Sequence, residues 1–260
     1  SGRCSECGSW GTLSESILDA QTEKKEEVKK IAGATVVDLR SLKGGPEIRI
    51  KSGLEEIDRV LGGGLLPGSL LLLSGEPGIG KSTLAAQLAN ALSRDGEVLY
   101  VSGEESAVQV KARLERLNCD LGRLRFIGET SVEKIAGAAL KLKPALMVVD
   151  SIQTVYSSLI PSEAGGLSQI RAVAVKFLEI AKEHGITVLL IGHITKDGQV
   201  AGPKSLEHIV DTVLSLENEP GSNYCLLRAS KNRFGSVNEL GVLEMTGAGF
   251  IEAKDPSSVF

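Results

Sequence analysis

The stretch SGEPGIGKSTL, at residues 74–84, constrains the fold of this chain more than any other feature. It fits the pattern G-x-x-x-x-G-K-[ST] from Gly75 to Ser82, with an apolar run before it and an amphipathic segment after it. Glycines let the backbone turn so that successive N–H groups point inward, and the start of the following helix adds positive potential. The pattern therefore predicts a buried strand, a phosphate-binding loop and a helix, in that order.

The residue types in this loop suit a nucleotide with magnesium. The Lys81 side chain is expected to reach the β- and γ-phosphates, and the Ser82 hydroxyl is expected to bind Mg²⁺. The predicted nucleotide-binding residues of the loop are Gly75, Glu76, Pro77, Gly78, Ile79, Gly80, Lys81, Ser82 and Thr83.

Strand-like and helix-like segments alternate after residue 49. The apolar, strand-like runs are 69–74, 97–102, 124–128, 145–150 and 186–192. The amphipathic segments between them are 81–94, 105–117, 131–142 and 163–184. Shorter strand-like runs follow at 210–217, 223–231, 237–245 and 249–252. This order predicts an α/β fold with a mostly parallel central sheet flanked by helices and a C-terminal antiparallel β extension.

Two further strand ends carry carboxylates. The run ALMVVDS ends in Asp150, which is expected to hold the magnesium directly or through water. The run LYVSGEES ends in Glu104 and Glu105, and strand ends of a parallel sheet line the ligand crevice. A glutamate there can polarise an attacking water, so Glu104 is the expected catalytic base and Glu105 its support or replacement. Acidic residues also stabilise a helix N-terminus, and both explanations can hold.

The run LLIGHITKDG places His193 at another strand end, where it either senses the γ-phosphate or is a satisfied structural residue. The loop continues through Lys196 and Lys204 with several glycines. A long basic loop after a nucleotide site suits a surface that responds to hydrolysis and binds a phosphodiester backbone. An ordinary flexible loop is the alternative.

The stretch ASKNRFGS carries Lys231 and Arg233 two positions apart. On a strand these positions point to the same face, and two adjacent cations favour an anion between them. The γ-phosphate of a neighbouring subunit would serve, as for an arginine finger. A surface pair with local carboxylate partners is the other explanation.

The N-terminal region differs in character. Cys4 and Cys7 form half of a zinc-ribbon pattern, and they are either the remnant of a zinc module or two unrelated thiols. Cys119 and Cys225 lie far away, so we expect no complete zinc site. The predicted organisation is a zinc-module remnant at 1–12, a polar linker at 13–48, an ATPase domain at 49–255 and a tail at 256–260.

Composition excludes some classes of protein. The net charge of −4 does not indicate general nucleic-acid binding, so any polyanion would meet local basic patches. No apolar run reaches the roughly 18 residues of a membrane span. Four cysteines give no disulfide framework, which favours the cytoplasm.

Several of these stretches together resemble a known family. The stretches IKSGLEEIDRVLGGGLLPGSLLLLSGEPGIGKSTL, VSGEES, VVDSIQT, GHITKDGQVAGPKSLEHIVDTVL and KNRFG are similar to the bacterial RadA (Sms) family of DNA repair proteins. This family belongs to the RecA/DnaB superfamily of ring- or filament-forming ATPases, so the resemblance implies a RecA-like P-loop ATPase core. It extends over residues 1 to about 253.

The resemblance implies a DNA-dependent ATPase that drives branch migration in recombinational repair as a hexameric ring. It implies ATP and Mg²⁺ at Lys81, Ser82 and Thr83, and Glu104 as catalytic base. Lys231 and Arg233 would act on the neighbour's nucleotide, and residues 195–205 would line a channel for single-stranded or branched DNA. A recombinase such as RecA is the implied protein partner, and no membrane is involved.

The chain departs from the family pattern in two places. The family has four zinc-binding cysteines at its N-terminus and a C-terminal domain resembling Lon protease, so we expect a central fragment that binds no Zn²⁺. Two alternative functions stay open at this point. One is a regulatory ATPase or autokinase resembling KaiC, and the other is a nucleotide-gated scaffold without movement on DNA.

Overall fold

The computed structural model describes residues 37–41, 48–193, 205–219 and 221–253. The chain divides into a first unit, Ser1–Pro46, and a second unit, Glu47–Phe260. In the first unit the described residues form a short 3₁₀ turn at Leu39–Ser41, where Arg40 pairs with Asp38. The second unit contains the phosphate loop and the sheet.

A nine-stranded sheet organises the second unit within the described ranges. Its strands are β1 (Leu70–Gly75), β2 (Val98–Ser102), β3 (Leu124–Ile127), β4 (Leu146–Asp150), β5 (Thr187–His193), β6 (Thr212–Asn218), β7 (Tyr224–Asn232), β8 (Leu240–Thr246) and β9 (Gly249–Glu252). Their order across the sheet is β3-β2-β4-β5-β1-β6-β7-β8-β9. Strands β1 to β6 pair in parallel, and β7, β8 and β9 continue the sheet in antiparallel pairs.

Five α-helices accompany the sheet in the described part of the chain. They are α1 (Glu55–Val60), α2 (Lys81–Leu92), α3 (Ala107–Arg116), α4 (Val132–Leu142) and α5 (Leu167–His184). Local sequence explains several of their ends. Ser106 begins α3 with a capping box to Gln109, and Gly185 ends α5 in the left-handed conformation that glycine adopts readily.

The sheet is covered on both faces, which explains its apolar strands. Leu71 and Leu73 of β1 belong to one buried cluster with α1, α2 and α3, whereas Leu70 and Leu72 belong to the other cluster with α4 and α5. All six residues of β1 are buried. A strand buried on both faces reads as a continuous apolar run, as in a central parallel strand.

The predicted fold class is confirmed. Each strand and helix predicted from the pattern is present, with ends that differ by a few residues. Helix α1 was not predicted, because its six residues are too few to show a helical period. The last predicted runs extend the sheet, although β6 pairs in parallel with β1 and only β7 to β9 are antiparallel.

Candidate nucleotide site at the carboxyl edge of the sheet

The phosphate loop joins β1 to α2 at the carboxyl edge, which we define as the edge where the parallel strands β1 to β5 end. Its shape requires glycine at two positions. A Cβ on Gly75 would lie 2.6 Å from the backbone oxygen of Leu216, and a Cβ on Gly80 would lie 2.3 Å from Met245 Cε. Gly80 also has a φ of +105°, which L side chains rarely adopt. The antiparallel extension therefore packs directly against the loop.

Lys81 is the first residue of α2 and is only 4% exposed. Its Nζ donates hydrogen bonds to the backbone oxygens of Gly75 at 2.9 Å and Glu76 at 2.8 Å. Burial lowers the pKa of Lys81, and the nearby charges of Asp150 and Glu104 oppose that effect. Among the described residues, no carboxylate lies within 4.0 Å of this ammonium. A buried cation that is hydrogen-bonded only to carbonyl oxygens, with its carboxylates more distant, suits an anionic ligand.

The other predicted loop residues follow the same turn. Glu76, Pro77 and Gly78 are exposed at its tip, and Ile79 is buried against the core. Ser82 and Thr83 are half-buried in the first turn of α2, where unpaired N–H groups attract anions. The donor set therefore fits a nucleotide phosphate with its magnesium.

Asp150 ends β4 beside Ser102 of β2 and is 6% exposed. The Tyr100 hydroxyl donates a hydrogen bond to Asp150 Oδ2 at 2.8 Å. Arg113 Nη1 lies 3.7 Å from the same oxygen and donates to the Tyr100 hydroxyl at 3.2 Å. Burial raises the pKa of Tyr100 well above its usual range, and the Asp150 charge adds to this effect, so the hydroxyl keeps its proton. Asp150 is thus a buried, oriented carboxylate.

Glu104 and Glu105 follow β2 but have different partners. The Ser151 hydroxyl donates to Glu104 Oε1 at 2.5 Å, and the Glu104 side chain is 45% exposed. Glu105 instead forms an ion pair with Arg113, whose side chain is 13% exposed. We name Tyr100, Glu105, Arg113 and Asp150 the carboxyl-edge cluster. The structure therefore leaves Glu104 facing the crevice and ties Glu105 into the cluster.

His193 ends β5 directly beside Gly75. Its Nε2 lies 4.0 Å from Glu104 Oε1, and its buried Nδ1 has no partner within the described ranges. Gln153 Nε2 approaches the backbone oxygen of His193 at 3.5 Å. The parallel sheet thus brings His193, Glu104, Asp150 and Lys81 to one edge, as the sequence pattern predicts.

Lys231 and Arg233 lie at the opposite, amino edge of the parallel strands, where β6 begins. Asn232 pairs with Thr212, and Thr212 pairs with Leu71, four residues before Gly75 along β1. Four residues of strand span about 13 Å. One chain therefore keeps these two cations well away from its own phosphate loop.

The expectation that Lys231 and Arg233 share one strand face is wrong. Strand β7 ends at Asn232, whose Oδ1 accepts a hydrogen bond from the Phe234 N–H at 3.0 Å, so Arg233 lies in a turn. Lys231 Nζ donates to the backbone oxygens of Glu207 and, at 2.7 Å, Val210. Its pKa is lowered by burial first and by the Arg233 charge second.

The remaining predicted residues lie outside the part of the chain that the structure describes. They are Cys4, Cys7, Lys196 and Lys204. Within the described part, no group of three or more His, Cys, Asp or Glu side chains could hold a metal ion. No described helix is long and apolar enough to cross a membrane.

Three residues that shape the site, namely Tyr100, Arg113 and Ser151, were not predicted from the sequence. Tyr100 was hidden in an apolar strand, because a buried tyrosine resembles the core until its hydroxyl partner is known. Arg113 lies on a helix rich in charges, as an ordinary solvent face would be. Ser151 directly follows Asp150, and its polar side chain at a strand end was a usable signal.

Comparison with known proteins agrees with this arrangement. The profile of the AAA domain family matches residues 41–199, more than half of the chain, so the chain belongs to this family of P-loop ATPases. Its fold is that of the RecA-like members of the class. Among solved structures, a KaiC-like protein of Pyrococcus horikoshii OT3 has a TM-score of 0.65 at 23% identity, covering 80% of this chain and 100% of that one. The RadB recombinase has a TM-score of 0.62 at 23% identity over 79% of this chain and 100% of its own.

Along its whole length the chain is similar to curated DNA repair proteins. It is 44% identical over 263 residues to the DNA repair protein RadA of Bacillus subtilis and 44% identical over 265 residues to RadA of Haemophilus influenzae. Each match covers 100% of this chain and 57% of the relative. The resemblance to RadA stated from the motifs is confirmed, and the chain spans somewhat more than half the length of these relatives.

Proposed function

We propose that this protein is a DNA repair ATPase in which hydrolysis at the carboxyl edge drives movement on DNA. The observation that carries the proposal is the position of Glu104. Its carboxylate is held by Ser151 at 2.5 Å, stays half-exposed, and lies near Lys81 and Asp150. A carboxylate that only capped a helix would not need this placement beside a buried phosphate-binding lysine.

Each residue of the site has a distinct part in hydrolysis. The loop N–H groups and the Lys81 ammonium bind the phosphates. Ser82 and Asp150 would hold Mg²⁺, which would neutralise phosphate charge. Glu104 accepts a proton from water as the water oxygen bonds to the γ-phosphorus, the bond from that phosphorus to the bridging oxygen breaks, and ADP and phosphate leave. Ser151 orients Glu104. His193, beside Gly75, contacts the terminal phosphate and responds to its loss.

Completion of the site requires a second subunit. Lys231 and Arg233 lie at the amino edge, at least about 13 Å from the phosphate loop of their own chain along the strands. A head-to-tail assembly places the amino edge of one subunit against the carboxyl edge of the next, and repetition closes a ring. In the proposed hexameric ring, Arg233 acts as a finger on the neighbour's γ-phosphate and Lys231 supports it.

The DNA part of the proposal rests on the relatives and on the sequence. Curated relatives that match the whole chain are described as DNA repair proteins. The basic residues Lys196 and Lys204 follow His193 along the chain, so a loop that binds DNA would be joined directly to the phosphate sensor. Single-stranded or branched DNA is the proposed polymer, branch migration the proposed movement, and a recombinase of the RecA type the proposed partner.

The test is steady-state ATP hydrolysis with and without single-stranded DNA in the full-length protein. Lys81→Ala is expected to abolish turnover because no other side chain in the loop is positively charged and able to balance the phosphate charge. Lys176→Ala is the control because it removes only a surface ion pair with Glu179. DNA stimulation of the wild type supports the proposal. Unchanged turnover in Lys81→Ala contradicts the site.

The same samples separate the two alternative functions. A KaiC-like autokinase would transfer phosphate to its own Ser or Thr, which mass spectrometry detects after incubation with ATP. A nucleotide-gated scaffold would hydrolyse ATP slowly, without a response to DNA, while its binding to protein partners changed with the nucleotide.

A further inference from the structure

Asp211 is a buried carboxylate that the proposed reaction does not use. It precedes β6 and is 1% exposed. Its Oδ2 accepts a hydrogen bond from the Leu70 N–H at 2.9 Å, and its backbone N–H donates to the Leu70 oxygen at 2.9 Å. Asp211 thus lies at the amino edge, where β1 and β6 begin side by side. A carboxylate buried this deeply needs cationic partners.

Two cations share this carboxylate. Lys182 Nζ of α5 lies 2.6 Å from Asp211 Oδ2, and Arg233 Nη1 lies 3.3 Å from Oδ1. Lys182 is held further by the Gly68 backbone oxygen at 3.1 Å and by the Phe234 ring, whose centroid lies 5.5 Å away. Its bond to Asp211 is the shorter of the two. Lys182 is therefore the permanent partner and Arg233 the weaker one.

The charges at this edge leave an excess of positive charge. We name Lys182, Asp211, Lys231 and Arg233 the amino-edge cluster, which contains three cations and one carboxylate. Glu207 adds a second negative charge near Lys231, and one positive charge still remains. When Arg233 leaves Asp211, Lys182 and the Leu70 N–H still bind Oδ2, while Oδ1 loses its bond to Arg233. The Asp211 charge therefore stays paired with Lys182, which reduces the usual penalty for breaking a buried ion pair.

The turn that carries Arg233 is fixed, so only the side chain needs to move. Arg49 Nη2 donates to the Phe234 oxygen at 2.7 Å. Gly235 packs against Gly62, and a Cβ on Gly235 would lie 3.3 Å from the Gly62 Cα. The Arg233 backbone N–H donates to the Asp211 oxygen at 3.1 Å. The Arg233 side chain itself is 51% exposed.

From these contacts we propose that Asp211 is a positioning residue that aims Arg233, and that Lys182 allows Arg233 to exchange Asp211 for an anion. The inference rests on the proposed function, because the anion is the terminal phosphate bound by a neighbouring subunit. Asp211 binds one nitrogen of the Arg233 guanidinium. This contact orients the guanidinium while leaving it half-exposed. Lys182 neutralises the carboxylate each time Arg233 leaves.

Asp211→Asn tests the inference in the full-length protein. The amide oxygen can still accept from the Leu70 N–H, but the charge that holds Arg233 is gone. We expect kcat to fall about 10- to 100-fold with an unchanged KM, because an incorrectly oriented Arg233 lowers the rate of the chemical step and not the affinity for ATP. We also expect faster modification of Arg233 by phenylglyoxal in the nucleotide-free protein, measured by peptide mass spectrometry. Glu239→Gln is the matched control, since it removes one of the two carboxylate partners of the exposed Arg59 and leaves Glu56 as the other.

The double variant separates this inference from the proposed function. If Asp211 acts through Arg233, then Asp211→Asn with Arg233→Ala is no slower than Arg233→Ala alone. If Arg233→Ala lowers kcat but Asp211→Asn does not, or if the two losses are additive, the inference is overturned. The proposed role of Arg233 as an arginine finger is then unaffected. Unchanged turnover in Arg233→Ala overturns the finger itself, and the Asp211 inference with it.

Lys182→Gln supplies a second approach in case the Asp211 variant does not fold. It leaves Arg233 as the one charged partner of Asp211, so Arg233 is held more tightly. We expect slower modification of Arg233 and a lower kcat. If both the modification rate of Arg233 and kcat stay unchanged, the proposed exchange is contradicted.

Discussion

The carboxyl-edge and amino-edge clusters lie at opposite edges of one sheet and are built differently. In the carboxyl-edge cluster, Arg113 is 13% exposed and bonds Glu105 and Tyr100, which in turn bonds Asp150. In the amino-edge cluster, Arg233 is 51% exposed and bonds Asp211 through one nitrogen. Arg113 is mostly buried and bound to side chains of its own chain, whereas Arg233 remains accessible to another molecule. This difference indicates that the first cluster orients a site and the second presents a charge to another molecule.

The largest expected effect comes from mixing two inactive variants. Lys81→Ala lacks a working phosphate loop but keeps Arg233, and Arg233→Ala has the reverse defect. Lys81→Ala alone is expected to abolish turnover, and Arg233→Ala alone is expected to lose about 10³–10⁵-fold in assembled turnover, as for other arginine fingers. Random mixing at equal amounts makes about a quarter of the interfaces complete, so activity returns.

This result would sharpen the comparison, because it requires the accessible arginine to act on a neighbour. A mixture as inactive as its components would break it and place Arg233 in a structural role. The control mixture is Arg233→Ala with a chain that carries both Lys81→Ala and Arg233→Ala. No interface in that mixture can combine Lys81 with Arg233, so it is expected to stay inactive.

A smaller effect is expected from Glu104→Gln, about 10²–10⁴-fold in kcat, because the proton acceptor is lost. Nucleotide binding, measured with a fluorescent ATP analogue, is expected to stay unchanged. Glu105→Gln is the neighbouring control and should cost much less, because Glu105 is paired with Arg113. A larger loss in Glu105→Gln than in Glu104→Gln would reverse the two roles.

The smallest effect concerns the orientation of the magnesium ligand. Tyr100→Phe removes only the hydroxyl that donates to Asp150 at 2.8 Å. We expect about 10–100-fold more Mg²⁺ to be needed for half-maximal hydrolysis, as for other partners of metal ligands. Tyr156→Phe, an exposed tyrosine, is the control. An unchanged Mg²⁺ requirement would show that the carboxyl-edge cluster only stabilises the fold.

Features that depend on local sequence patterns could be predicted, whereas features that depend on long-range contacts could not. The apolar runs of β1 and β4 and the glycine loop are local, so the sheet and the position of Asp150 followed from them. Asp211 meets Leu70 across 141 residues, and Arg49 meets Phe234 across 185. Sequence spacing does not predict contacts over such separations, so the amino-edge cluster could be identified only from the structure.

The position of Arg233 shows the same limit on a smaller scale. Alternation along ASKNRFGS favours a continuing strand, but Asn232 turns the chain by accepting the Phe234 N–H. Gly235 then packs on Gly62, a residue about 170 positions earlier. The strand ends because of a partner that the local sequence does not contain.

The contact between Gly80 and the side chains of Met245 and Phe250 also bears on how the protein is made. The phosphate loop leaves the ribosome long before its neighbours in β8 and β9, since chains are synthesised from the N-terminus. It cannot reach its final packing until residues 245–250 have emerged. A nascent chain therefore acquires its nucleotide site only when synthesis of the domain is almost finished.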